Sequence, residues 1–445
     1  EDPARFVLER LDARWKQVHE ADTDTTPMLR LVESRFEEFI RDADFALFPD
    51  EAGQERALTD LSDGQRSLFH IALTAATLEV ERDAFQLPQD QCAFDQEKLR
   101  RAHLTVLAIE EPENSLSPFF LAGIIEQARD IAALATAQVL LSSHSAAILS
   151  RIDPMEVRYF RRDRATRQSS VRTITLPSDD AEARKYVRLA VRAYPELYFA
   201  RFVILAEGDS EQLVIPRVAD ALGVSLDRSF VPIVPLGGRY AAHFWRLLAD
   251  LQIPHATLLD ADFGRKHGGA KLVRSLVEKL GEVGVSLDAT LPALLSDIDP
   301  ANVDTLEDID LWVSYEDNHW TQAFEELGVF FSDPLDLDFS MLEAFPDAYK
   351  HSEAGGTGPG ETTEAIDSAK LATLKSGGDA TLYSDDYDDA FRWYPYLFLR
   401  RSKPETHLTA LARLTDKELA DDAPPPLQSL IAHVQRKLDV GNGAQ

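Results

Sequence analysis

The chain is poor in the features that would settle its class by themselves. It has 445 residues but a single cysteine, Cys92. That excludes an internal disulfide framework and a cysteine-based zinc site, and makes a reducing cytoplasm the natural compartment. No apolar run approaches the length of a membrane span. The first residue is Glu1 rather than Met, and no secretory signal pattern follows. The chain is therefore expected to begin inside a longer protein. Nowhere does a GxxxxGK[ST] run occur, nor even a Gly-Lys dipeptide, so the lysine-bearing loop that cradles phosphates is missing. Positive charge is also scarce: 46 Lys and Arg stand against 76 Asp and Glu, a net charge of −30. Such a balance argues against general attraction to nucleic acid, although a binding groove is a local matter. Basic residues do cluster in YFRRDRATR (Arg158, Arg161, Arg162, Arg164, Arg167) and in LRRSKP (Arg400, Arg401, Lys403). The first of these also reads simply as a solvated hairpin surface.

Carboxylates occupy the informative positions. Asp260 and Asp262 close the run HATLLDAD, and Glu207 and Glu211 lie in FVILAEGDSE. Each apolar run delivers acids at its C-terminal end, where α/β sheets place their sites. Clustered carboxylates without basic neighbours repel one another unless hard cations neutralise them, and Mg²⁺ takes such oxygen ligands. Two ions a few ångströms apart would clamp the attacking and leaving oxygens of a phosphodiester. The pattern points to a metal-dependent enzyme acting on nucleic acid.

Along the chain, Leu8, Leu11, Trp15 and Val18 recur at helical spacing, and a second stripe (Leu29, Leu31, Val32, Phe36, Ile40) predicts another helix. Between about 60 and 150, helices alternate with buried strands, a rhythm that implies a parallel sheet. A hairpin (VRYFRR…SSVRTITL) and a helix near 181–193 follow. The alternation returns from residue 200, with strands at FVILAEG, FVPIVPLGG, HATLLDAD and LWVSY. Segments 353–363 and 376–389 are glycine-rich and acidic, as in loops or partly disordered insertions. The tail from about 404 reads as helical, interrupted by DDAPPP. There is no internal repeat.

Three elements stand in the order and spacing of an ABC-type ATPase. LSDGQ resembles the ABC signature, in which Ser62, Gly64 and Gln65 would meet a γ-phosphate at a helix N-terminus. LAIEEPENSLSP resembles a Walker B strand with its D-loop. By that resemblance Glu110 would hold Mg²⁺ and Glu111 would position water, while His144 in LLSSHS resembles the switch histidine. The Walker A loop of such ATPases lies upstream of the signature, so the P-loop lobe is expected to be truncated from this chain. ATP would belong to the full-length protein, and ATP hydrolysis is not expected from this chain alone.

FVILAEGDSEQLVIP followed by TLLDAD resembles a Toprim domain. Gly208 is expected to let the chain turn sharply after Glu207, and Glu207 and Glu211 to face one metal. An ABC ATPase joined to a Toprim domain resembles the OLD (overcoming lysogenization defect) family of nucleases, over residues 55–405. The EGDSE form is closest to its helicase-associated, Gabija-type class. That resemblance implies further ligands at Glu316 and Asp317 in WVSYEDNHW, and a cationic Lys403 in RRSKPETHL that steadies transition-state charge. Lys403 also reads as a surface salt bridge. Ser210 and Asp209 are both candidates for supporting roles.

The expected fold class is α/β: the C-terminal part of an ABC-type ATPase domain (1–195), then a Toprim domain with a parallel sheet and helical additions (196–445). The expected activity is DNA endonuclease or nickase chemistry with two Mg²⁺ or Mn²⁺ ions. Glu207, Glu211, Asp260, Asp262 and Lys403 would be catalytic, and the four acids with Glu316 and Asp317 would be ligands. Family resemblance adds anti-phage defence, a homodimer or higher oligomer, and a helicase partner; no membrane association is expected. Topoisomerase is disfavoured because no helix-turn-helix bearing a nucleophilic tyrosine is evident, and primase because one cysteine builds no zinc ribbon. The alternative is a non-catalytic, SMC-like DNA-binding or sensor protein with a scaffold Toprim domain.

Overall fold

The computed structural model describes residues 3–18, 26–30, 44–48, 56–88, 90–91, 96–97, 103–114, 116–162, 166–175, 181–236, 241–285, 308, 319–352 and 358–440. They form two compact units, Glu1–Asp153 and Pro154–Gln445. The 195/196 boundary expected from the sequence lies inside the second unit. No described helix is long and apolar enough to cross a membrane.

In the first unit, helix α1 (Pro3–Val18) buries Leu11, Trp15 and Val18, the stripe its spacing predicts. The chain does not continue into a second helix at residue 26. Thr26–Arg30 instead forms strand β1, antiparallel to β2 (Asp44–Phe48), which also pairs with β3 (Arg56–Ala57). Leu29 lies opposite Phe45 in this register. Only that one residue of the presumed stripe falls in the strand, and pairing with β2 outweighs the local pattern. Residues 31–40 lie outside the described residues.

Ser62 caps the long helix α2 (Asp63–Gln86). Strand β4 (Thr105–Glu110), helix α3 (Pro118–Ala132) and strand β5 (Ala137–Ser142) follow. The two strands are parallel, Thr105 opposite Ala137 through Glu110 opposite Ser142, the arrangement that a helical crossover permits. Leu68, Phe69, Ala72, Leu121 and Ile124 join the α1 stripe in one core.

The second unit opens with the expected hairpin, β6 (Tyr159–Arg162) against β7 (Ser169–Arg172), and helix α4 (Ala181–Ala193). Next come β8 (Val203–Ala206), α5 (Asp209–Ala221), β9 (Ile233–Pro235), α6 (Ala241–Asp250), β10 (His255–Asp260) and α7 (Gly269–Glu282). Helix α8 (His319–Glu326) leads to β11 (Val329–Ser332). The four strands form one parallel sheet in the order β11-β10-β8-β9. All residues of β8 and β11 are buried, as strands covered on both faces must be, and their near-continuous apolar sequence follows from that. Buried Thr257 in β10 needs a partner and has one, the Trp245 indole N–H at 2.8 Å.

Helices α9 (Leu337–Ala344), α10 (Thr363–Leu374), α11 (Asp388–Tyr394), α12 (Lys403–Leu411), α13 (Asp416–Asp422) and α14 (Pro425–Val440) complete the unit. Asp336 caps α9 by accepting from the Phe339 N–H at 3.0 Å. Phe339, Phe391 and Tyr394 are fully buried together. Each such ring contributes roughly 2–3 kcal/mol through burial, so α9 and α11 hold the segment after β11 in place. Residues 376–389, read from sequence as a loop or disordered insertion, are partly a packed element. Tyr383 is buried and donates to the Phe263 carbonyl at 2.8 Å, and the Asp379 N–H donates to Gly264 O at 2.7 Å.

Candidate functional site

Three parallel strands, β8, β10 and β11, end at one edge of the sheet, and each is followed by carboxylates. After β8 come Glu207 and, in the first turn of α5, Glu211. Strand β10 ends on Asp260, with Asp262 beyond it. After β11 come Asp336 and Asp338, which the sequence reading missed. The signal was present: VFFSDPLDLD repeats the pattern of HATLLDAD, an apolar run closing on acids. Glu316 and Asp317, expected in that role, lie outside the described residues.

Backbone groups fix the carboxylates. Glu207 accepts from the Asp260 N–H at 3.1 Å, and Glu211 from the Gly208 N–H at 2.9 Å. Gly208 itself is extended at φ −153°, and an added Cβ would sit 3.6 Å from Glu211 Oε2. The chain bends at Glu207 and Gly208 as expected, and it does so without left-handed backbone. The demanding geometry follows β10. Asp262 adopts φ +53°, and its N–H donates to Leu335 O at 2.7 Å, so the two acids of the DxD motif fan apart. An added Cβ on Gly268 would come within 2.0 Å of the Asp262 carbonyl, which only glycine avoids.

The cluster divides by counter-charge. Arg265, partly buried, pairs with Asp262 and lies 3.0 Å from Asp336, which also accepts from the Tyr394 hydroxyl at 2.5 Å. Asp338 is held on both oxygens, by Lys403 Nζ at 2.5 Å and His407 Nε2 at 2.7 Å. The fully buried His407 ring shares a 2.7 Å hydrogen bond with the Tyr349 hydroxyl through Nδ1. Against burial, which would raise it, the His407 bond and the Lys403 charge hold the Asp338 carboxyl down at about 2. Lys403 is raised by Asp338, Asp336 and Asp260, although burial acts to lower it.

Glu207, Glu211 and Asp260 have no such partner: among the described residues, no Lys, Arg or His forms an ion pair with them. Burial, with the charges of Asp262, Glu211 and Asp336 added, pushes Glu207 up to about 7. Burial likewise raises Glu211, with Asp338 and Asp336 adding repulsion. Asp260 is driven well above the usual carboxylate range by burial and by Glu207, Asp336, Glu211 and Asp262. The sequence expectation of acids without basic neighbours thus holds, among the described residues, for Glu207, Glu211 and Asp260 and fails for Asp262, which Arg265 pairs.

A cleft of about 380 Å³ opens on this edge, lined by Glu207, Ser210, Glu211, Asp260, Asp338 and Lys403 among others, with Asp209 at its rim. Four of the five expected catalytic residues therefore line one cavity. Asp262 stands behind it on Arg265, while one oxygen each of Asp260, Asp262 and Asp336 falls within 4.8 Å of the others. An all-oxygen donor set whose carboxylates outnumber the one arginine beside them fits hard divalent ions such as Mg²⁺ or Mn²⁺.

In the first unit, Ser62 and Gln65 form a capping box on α2, the Gln65 N–H donating to Ser62 Oγ at 3.3 Å, with Gly64 buried in the first turn. Helix capping accounts for both polar residues locally. Glu110 closes β4, exposed, opposite Ser142. Glu111 follows at φ +43°; its Oε1 lies 3.1 Å from His144 Nε2, and its other oxygen accepts from Asn114 at 2.6 Å. Glu113 accepts from Ser143 Oγ and the His144 N–H, both at 2.8 Å. The structure thus brings Glu111 and His144 together at the ends of adjacent strands.

Comparisons with known proteins agree with this division. Residues 198–262 match the family model described as "Overcoming lysogenization defect protein-like, TOPRIM domain". Residues 3–150 match the one described as "AAA domain, putative AbiEii toxin, Type IV TA system". No curated protein matches the chain. Among solved structures, the C-terminal region of the Burkholderia pseudomallei OLD protein aligns at 19% identity, over 54% of this chain and 99% of that one, with a TM-score of 0.34. The corresponding region of the Xanthomonas campestris pv. campestris OLD protein aligns at 19% identity, over 56% and 98%, with a TM-score of 0.33.

Proposed function

For a chain that joins an ATPase-like domain to an OLD-like Toprim domain, we propose hydrolysis of DNA phosphodiesters at the cleft of Glu207, Glu211 and Asp260, with Mg²⁺ or Mn²⁺ as cofactor. The observation that carries this reading is three crowded carboxylates with no ion-pair partner among the described residues, in one cavity with Lys403. Glu207, Glu211 and Asp260 would hold the metal, with Asp262 and Asp336 as further oxygen donors beside Asp260. Two divalent ions, when bound, supply charge neutralisation for the phosphate and acidify water.

The protein's own groups do the rest. Backbone N–H groups of Gly208 and Asp260 orient Glu211 and Glu207, so the ligands are arranged before any cation arrives. Lys403 presents an ammonium to the charge that builds on the phosphoryl oxygens, and such preorganised charge is strongest in a site that excludes water. Asp338, gripped by His407, fixes where that ammonium sits. Arg265 holds Asp262 and Asp336 in place through its ion pairs with both. ATP at the first unit, assembly into a dimer or larger oligomer, a helicase partner and a role in anti-phage defence belong to the same reading.

The test is to incubate supercoiled plasmid with the protein and Mg²⁺ or Mn²⁺, beside Asp260→Ala. The wild type should nick or linearise the plasmid, and the variant should not. Intact plasmid with the wild type, or equal cutting by the variant, would overturn the proposal.

A further inference from the structure

A second cavity, of about 340 Å³, adjoins the carboxylate cleft and shares Ser402 with it. Its character is opposite. Its charged lining consists of Arg401, Arg413 and Glu405, with His351 beside them, and the hydroxyls of Thr406 and Thr409 add donors. Thr406, Thr409 and Arg413 fall at positions i, i+3 and i+7 of one stripe that begins in α12, so one side of the helix faces the cavity. Arg401 stacks on Tyr396 at 4.3 Å, which fixes the plane of its guanidinium. Arg413 is anchored by donating to the Ala348 carbonyl at 2.6 Å. Arg401 and Lys403 are two residues apart, so their Cα atoms are separated by at most about 7 Å. Lys403 serves the first cavity and Arg401 the second.

In a chain of net charge −30, two arginines held beside the acidic cleft have no role in the chemistry described above. Guanidinium groups pair with phosphate oxygens through two parallel N–H bonds. We infer that the Arg401–Arg413 cavity binds a second phosphodiester of the same nucleic-acid strand, next to the one held at Glu207, Glu211 and Asp260. It works as an anchoring subsite rather than a reacting one. This rests on the nuclease reading for its placement, but its chemistry is separate. A strand crossing the site meets acids at the bond to be cut and arginines at the neighbouring phosphate.

The test compares two substrates that differ in reach. Bis(p-nitrophenyl) phosphate carries one phosphodiester and occupies only the first cavity, whereas an oligonucleotide spans both. With Mn²⁺ present, Arg401→Gln and Arg413→Gln should each raise the oligonucleotide KM about tenfold, the loss expected for a charged hydrogen bond. Turnover of bis(p-nitrophenyl) phosphate should change less than twofold. Oligonucleotide binding, followed by fluorescence anisotropy in EDTA, should lose about 0.7 from its log–log salt slope per arginine removed. Because Arg413 also holds backbone, Arg401→Lys serves as a second variant; it should keep the salt slope yet bind more weakly. Unchanged KM and slope in both glutamine variants would overturn the subsite, as would parallel loss on both substrates. If the wild type hydrolyses neither substrate, the nuclease reading fails instead. The anisotropy slopes then still decide whether the arginines hold phosphate.

Discussion

Two strand ends in this molecule carry the same sequence signature and sit in opposite environments. LAIEE in the first unit and LLDAD in the second each close an apolar run on acids. Strand β4 alternates between covered and open positions, Glu110 is exposed, and Glu111 finds local partners in Asn114 and His144, the latter 81% exposed. The interior residues of β10 are all buried, and Asp260 is crowded by Glu207, Glu211 and Asp336. Water can solvate the first pair, so its charge costs little to maintain. In the second, Asp262 has Arg265, whereas Asp260 is kept from water and has no ion-pair partner among the described residues, so its charge is costly to maintain. The motif is the same; burial separates the two strand ends.

The largest effects belong to the second unit. Replacing Glu207 with Gln or Asp260 with Asn should lower plasmid cleavage by at least about 100-fold. The same substitutions should stabilise the metal-free protein by roughly 1–2 kcal/mol at pH 8 in thermal unfolding, because like-charge repulsion is removed. A destabilised, metal-free Asp260→Asn protein would break the comparison. Glu111→Gln, by contrast, should shift stability by no more than about 0.5 kcal/mol.

Next in size is the support of Asp338. His407→Ala leaves a buried carboxylate with one partner fewer and should cost about 3 kcal/mol in denaturant unfolding. Stability and cleavage would then separate in one respect: adding imidazole should restore cleavage if the ring positions Asp338 and Lys403.

Acidity sharpens the contrast with signs that differ within the cluster. Glu207 is raised, to about 7 in the fold. Folding therefore takes up protons between about pH 4.5 and 7, and the metal-free protein loses stability as pH rises through that window, by on the order of 3 kcal/mol. Mg²⁺ or Mn²⁺ should flatten this slope. Asp338, lowered to about 2, acts the other way: its contribution is present above about pH 4 and is lost as pH falls towards 2. Unfolding midpoints measured from pH 2 to 8, with and without metal, separate the two.

The smallest expected effect is Ser62→Ala. It removes one cap from α2 and should cost about 1 kcal/mol, read as a shift in the unfolding midpoint of the first unit.

Much of this arrangement could be read from the chain. FVILAEGDSE and HATLLDAD are visible because buried parallel strands are written as continuous apolar runs and their ends as polar interruptions. Asp336 and Asp338 follow the same rule after VFFS, and went unread because LWVSYED offered a competing strand nearer the DxD motif. The counter-charges were not readable. Arg265 reaches Asp336 across 71 positions and His407 reaches Asp338 across 69, and no local period records a pairing made through space. Nor was β1: a strand of five residues held by its partner leaves too short a pattern to distinguish from a helical stripe. The turn at Gly208 was legible, whereas the close approach of Gly268 to the Asp262 carbonyl was not.

We propose that Glu207, Glu211 and Asp260 form a cation site, since no Lys, Arg or His among the described residues forms an ion pair with them. It is tested most directly by titrating Mn²⁺ into the nucleotide-free protein and following free ion by electron paramagnetic resonance. The wild type should bind Mn²⁺, Asp260→Asn should lose that binding, and Glu111→Gln should retain it. Mn²⁺ binding that survives Asp260→Asn but disappears with Glu111→Gln would contradict the account.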